Sequence, residues 1–298
     1  MNTKIFGFLV ILCMISIIPI ADAQISIGEK AKQKSVVVTI NSVGDVHVKH
    51  VILSSGIPKQ IDLIPGTISN LLVTNEQGEK RQFSVIGDNS GVLILPSSRN
   101  SIVEYDLDQV ISQKDTVWTW DFLYLEKTSF ILPKEADLIF LNGNSVYLDE
   151  SKGIACHGCQ VTLEYSINEP KIFKNVKWED KEFVVEIKSY SNIDEFIFDQ
   201  PTKSITFDVL EENRFVTIIV PLELLWEPYS VFLDDEKINV HKFINNGTHV
   251  WLNMKPEITG EITIIGTTVI PEFSIIAPLA IGFLMILVVP LIRKVNLR

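Results

Sequence analysis

Between residues 35 and 268 the chain never sustains a helical apolar period over twelve residues. Short runs rich in Val, Ile, Thr, Phe and Tyr alternate instead with clusters of Asn, Asp, Gly and Pro. Side chains of period two separated by turn residues at this spacing build strands. The runs fall at 35–40, 46–53, 83–86, 92–95, 101–105, 116–125, 129–132, 137–141 and 160–167. They resume at 183–189, 195–199, 204–210, 215–220, 230–233, 248–254 and 261–265, and residues 221–226 leave room for one helical turn. The pattern predicts an all-β chain with two β-sandwich-like extracellular domains, because many short strands must bury one face each against a second sheet.

The clearest break is Asn168-Glu169-Pro170-Lys171, which divides an N-terminal β-rich domain over 24–168 from a β-sandwich domain over 169–268. A weaker break lies at 96–100. Asn142-Gly143-Asn144 and Asn246-Gly247 read as hairpin turns, since Asn and Gly tolerate positive φ. With Asn246 and Gly247 as the two loop residues, His249 falls opposite Ile244 and on the other face from His241.

The two ends read as addresses. Residues 1–23 place Lys4 before an apolar stretch and close on Ala21-Asp22-Ala23, the pattern of a cleaved signal peptide with Gln24 as the first mature residue. Residues 275–292 are 18 consecutive residues without a charge, and Arg293 and Lys294 follow directly. A helix of that length spans about 27 Å, enough for a hydrocarbon core. The basic tail at 293–298 then stays in the cytoplasm and residues 24–274 lie outside. Removing Lys4, Arg293, Lys294 and Arg298 leaves 22 basic residues, and removing Asp22 leaves 36 acidic ones. A net charge of −14 over these 251 residues argues against a nucleic-acid partner, which needs a basic stripe.

Candidate chemistry is sparse. Cys156-His157-Gly158-Cys159 holds the only two cysteines beyond the signal. Outside the cell such a pair closes a local disulfide. The alternatives are a soft metal ion held by Cys156, His157 and Cys159, or thiol exchange. No second CxxC or CxxH completes a zinc site. Trp118, Trp120, Phe122 and Tyr124 alternate on one face of a strand, as buried core or as a sugar-binding platform. His47 and His50 sit three apart and face opposite ways. Asp234-Asp235-Glu236 and Asp106-Leu107-Asp108 lack the regular ligand spacing of a calcium loop and read as solvated turns. Asn246-Gly247-Thr248 is the only glycosylation sequon. No G-x-S-x-G, H-E-x-x-H or P-loop pattern occurs. The chain is therefore read as non-catalytic and without a cofactor, the metal ion at Cys156 and Cys159 aside.

The C-terminal region carries a resemblance. Pro271, Glu272 and Phe273 (269–274 forming a linker), then the apolar segment, then Arg293 and Lys294, resemble the archaeal PEF-CTERM type of sorting signal that archaeosortases handle. The stretches Phe196-Ile197-Phe198, 203–207, 220–225, 228–231 and 261–266 resemble β-sandwich modules found beside that signal in archaeal surface proteins. The resemblance covers about a third of the chain. It implies export and display on an archaeal cell membrane as a single-pass protein, with an archaeosortase-type enzyme as a processing partner. The resulting expectation is a structural or adhesive surface protein whose partners are other surface proteins or glycans. The alternative is a surface metal-binding or redox protein using the CxxC pair.

Overall fold

The structure is a computed structural model and describes residues 28–267 except 149 and 179. The signal segment, Pro271-Glu272-Phe273, the apolar segment 275–292 and the basic tail with Arg293 and Lys294 lie outside the described residues. Everything regular among the described residues is β-strand. No helix among them is long and apolar enough to cross a membrane. The one helical turn expected after Pro221 is present as bonds from the Leu224 and Leu225 amides to the Pro221 carbonyl.

The chain divides into two compact units. The first is assembled from residues 28–33, 52–63 and 73–102. Its four-stranded sheet orders Glu29–Lys30, Lys59–Asp62, Gly91–Ile94 and Phe83–Ile86. Ile61, Val92 and Ile94 are its buried side chains, and Lys59 and Lys30 pair with Glu29 and Asp62 at 2.5 and 2.8 Å.

The second unit holds residues 34–51, 64–72 and 103–267. In its earlier part, one sheet orders Gly153–Cys156, Thr128–Ile131, Gln33–Ile40, Val46–Ile52, Ser101–Asp108 and Thr67–Asn75. The other orders Asn144–Tyr147, Leu138–Leu141, Cys159–Tyr165, Val117–Tyr124 and Ser112–Lys114. Period-two alternation drives their packing: Val36, Val38 and Ile40 point inward from one sheet, and Trp120, Phe122 and Tyr124 from the other. Phe122 meets Phe130 edge-on at 4.8 Å, and Tyr124 meets His50 at 5.9 Å.

The strands from Lys171 onward pair only among themselves, in two five-stranded sheets. One orders Lys171–Trp178, Lys181–Ser189, Val216–Pro221, His249–Met254 and His241–Asn245. The other orders Ile193–Asp199, Ser204–Val209, Gly260–Thr267, Trp226–Leu233 and Glu236–Ile238. Their facing sides share one apolar core, with Val185, Ile187, Ile218 and Leu252 from the first sheet and Ile205, Phe207, Val231 and Ile264 from the second. This is a β-sandwich.

Nine of the described strands lie outside the runs that the sequence pattern predicted, among them Thr67–Asn75, Asn144–Tyr147 and Lys171–Trp178. Thr67–Asn75 is broken by Asn70 at φ 53°, and Asn144–Tyr147 is short and mostly exposed. Lys171–Trp178 has lysine at three of its positions and lies at a sheet edge, where charge is tolerated. The Asn142-Gly143 turn forms as predicted, with φ of 51° and 76° between paired Leu141 and Asn144. The second hairpin is corrected. Asn246 and His249 flank the loop, their backbone bonded from the Asn246 amide to the His249 carbonyl, so Gly247 and Thr248 are its two central residues. Asn245 then stands opposite Val250 and Ile244 opposite Trp251, not His249. The Asn246 carboxamide displaces the turn, because its Oδ1 accepts from the amides of Thr248 and His249 at 3.0 and 2.8 Å.

Candidate functional site

The CxxC segment is a corner of the fold. Gly153–Cys156 ends in the six-stranded sheet with Cys156 opposite Thr128, and Cys159–Tyr165 begins in the neighbouring sheet with Cys159 opposite Tyr124. His157 and Gly158 carry the chain from one sheet to the other. Residues 125–127 make the reverse crossing beside them, and Gly158 takes a φ of +64° that residues with a side chain rarely adopt. The sulfurs of Cys156 and Cys159 are joined, with Cα atoms 5.9 Å apart, inside the usual disulfide range. His157 is exposed. Among the described residues no group of three or more His, Cys, Asp or Glu side chains is placed to hold a metal ion.

The aromatic row is core and not a platform. Trp120, Phe122 and Tyr124 are buried. Trp118 is half-buried, stacks on Tyr165 at 6.2 Å, and lies against Gly44, where any side chain would run into its ring. His47 and His50 do face opposite ways. His47 Nδ1 is 2.8 Å from Asp106 on the outer face, while His50 is fully buried with Nε2 3.0 Å from the Tyr105 hydroxyl. Burial pushes the His50 imidazole down to about 3. Asp106 is held low by hydrogen bonds from Asn70 and then from His47. The acidic turn also has an ordinary explanation: Asp234 and Asp235 take positive φ in a tight hairpin, and Asp234 accepts from the Glu261 amide at 2.9 Å.

A polar site lies elsewhere in the second unit, on the outer face of the sheet that contains Asn253. A cleft of about 610 Å³ opens there, within the size range of small-molecule sites. Lys188, Thr217, Trp251 and Asn253 form its floor. The Asp137 and Glu169 side chains stand in its wall. Phe140 and Phe215 stack face to face at 4.3 Å and 6°, closing one end. Asn253 Nδ2 donates to Thr217 Oγ1 at 2.8 Å. Asn253 Oδ1 is buried and has no hydrogen-bond partner among the described residues. Lys188 lies 3.9 Å from Asp137, whose other oxygen takes Lys152 at 2.7 Å. Enclosure by the walls raises the Glu169 carboxyl to about 7; Lys188 opposes that rise and Asp137 adds to it.

Sequence reasoning missed this cleft. Glu169 and Lys171 sat in the break between the two expected domains, and Thr217 and Asn253 fell inside two predicted strand runs. One signal was available: Thr217 and Asn253 interrupt two of the most apolar strands in the chain. Compared with known proteins, the chain matches no family model and no curated protein.

Proposed function

We propose that this is a membrane-anchored archaeal cell-surface protein with a structural or adhesive, non-catalytic role. Residues 24–274 face outward, 275–292 cross the membrane, and Arg293 and Lys294 hold the tail inside. Pro271, Glu272 and Phe273 are the segment an archaeosortase-type enzyme reads. One observation carries the reading: an unbroken series of strands fills the described residues, between a signal-like start and an 18-residue uncharged segment with a basic flank. The joined sulfurs of Cys156 and Cys159 favour a structural corner over thiol chemistry, and suit an oxidising exterior.

Intact mass measured on protein from native membranes tests this. A membrane-fraction chain that begins at Gln24 supports the proposal. A chain that retains residues 1–23 and partitions into the soluble fraction overturns it.

A further inference from the structure

Cross-strand register aligns five polar side chains in one row over the outer face of the Asn253 sheet. Lys171 stands opposite Lys188, Lys188 opposite Thr217, Thr217 opposite Asn253, and Asn253 opposite His241. The row passes from an edge strand through the sheet's centre, where Thr217 and Asn253 are 4% and 0% exposed. Val or Ile would suit those central positions better for packing alone. A buried amide oxygen left without a partner is unfavourable for folding. The next row brings Trp251 beside Ile244. The floor is thus polar along one row and apolar along the next, under a wall that supplies Asp137 and Glu169.

We propose that this cleft binds a neutral sugar residue of a saccharide, with Asn253 and Glu169 accepting its hydroxyl protons and Trp251 backing its apolar ring face. The charges decide against other ligand classes. Glu135, Asp137 and Glu169 share the cleft with Lys171 and Lys188. A strongly anionic ligand meets the three carboxyl groups, and a cationic one meets the two ammonium groups. A wholly apolar ligand would cover the Glu169 carboxyl without replacing the water it loses. A ring hydroxyl both donates and accepts, so it can serve the unpartnered Asn253 Oδ1 and an ammonium group together. The C–H faces of a sugar pack on aromatic surface. The raised Glu169 carboxyl fits an enclosed site whose charge is incompletely balanced.

This proposal gives the adhesive reading its ligand class and rests on that reading only for where the contact is made. Binding in solution and location on the cell are read by separate experiments, so either can fail alone. The test is saturation-transfer NMR and calorimetry on the full chain in detergent. The probes are neutral glucose-, galactose- and mannose-based oligosaccharides, with uronic acids and amine-bearing sugars beside them. A neutral saccharide is expected to bind, and Glu169→Ala and Trp251→Ala to weaken it at least tenfold. Leu123→Ser, on an exposed strand position away from the cleft, should leave it unchanged. Thermal melts report whether each variant folds; if Trp251→Ala does not, Glu169→Ala in the wall carries the test. Binding of no neutral saccharide, binding of charged sugars alone, or equal binding by wild type and Glu169→Ala would overturn the proposal.

Discussion

The imidazole of His50 and the hydroxyl of Tyr105 form a buried pair, with Nε2 3.0 Å from the phenol oxygen. That oxygen also accepts the Ile64 amide at 2.8 Å. Burial holds the imidazole neutral, because protonating it would place a charge in the core.

A pH dependence follows, and its sign is set by two groups. The folded-state pKa of His50, about 3, lies below its ordinary value of 6.5. Its contribution is present above pH 6.5 and lost as the pH falls towards 3. Glu169 runs the other way: its carboxyl is raised from 4.5 to about 7, so its contribution is present below pH 4.5 and lost as the pH rises through 7. The two slopes oppose each other between pH 4.5 and 6.5. Urea denaturation should show a shallow wild-type slope in that window. Glu169→Gln should unmask a rise of up to about 1.4 kcal/mol per pH unit. His50→Gln should abolish the rise. A Glu169→Gln protein whose stability stays flat across the window would contradict this.

Phe140 and Phe215 are each 4% exposed and stack at 4.3 Å, linking the strand Leu138–Leu141 to the one that starts at Val216. Either Phe→Ala change should cost about 3 kcal/mol. The double variant should cost less than the sum of the two, by about 0.5–1.5 kcal/mol. Strict additivity in chemical denaturation would show that the rings do not stabilise each other.

Cys156 and Cys159 should show no free thiol in the non-reduced protein. The loop they close is short, so replacing both by Ser should cost only about 1–2 kcal/mol and leave the fold intact. Two titratable thiols, or stoichiometric copper or zinc lost in the double Ser variant, would transfer the site to the metal-binding alternative.

Asn246 sits on an exposed hairpin tip, where Oδ1 serves the turn and the amide nitrogen has no such task. Native protein should yield an Asn246 peptide with added glycan mass. The unmodified peptide as the sole species would assign the residue to turn formation alone.

The β class and most strands were legible because alternation is a local signal. Runs such as Ser101–Asp108 write their buried face directly into the residue order. The edge strand Lys171–Trp178 was not legible, because its lysines and Phe173 carry no one-sided pattern. The CxxC pair was legible as a turn, but its place at a sheet-to-sheet corner depends on Thr128 and Tyr124, about thirty residues away in the chain. The Asn246 turn missed its register because a side-chain acceptor moved the loop by one residue. The cleft was the least legible. Glu169, Thr217 and Asn253 are far apart in sequence, and only cross-strand pairing and the neighbouring wall bring them together.

Protease treatment of intact cells, read with an antibody against residues 293–298, tests the surface assignment most directly. The account predicts that the ectodomain is digested while a small membrane-held fragment bearing Arg293 and Lys294 survives. Complete protection of the full chain until the cells are lysed would contradict it.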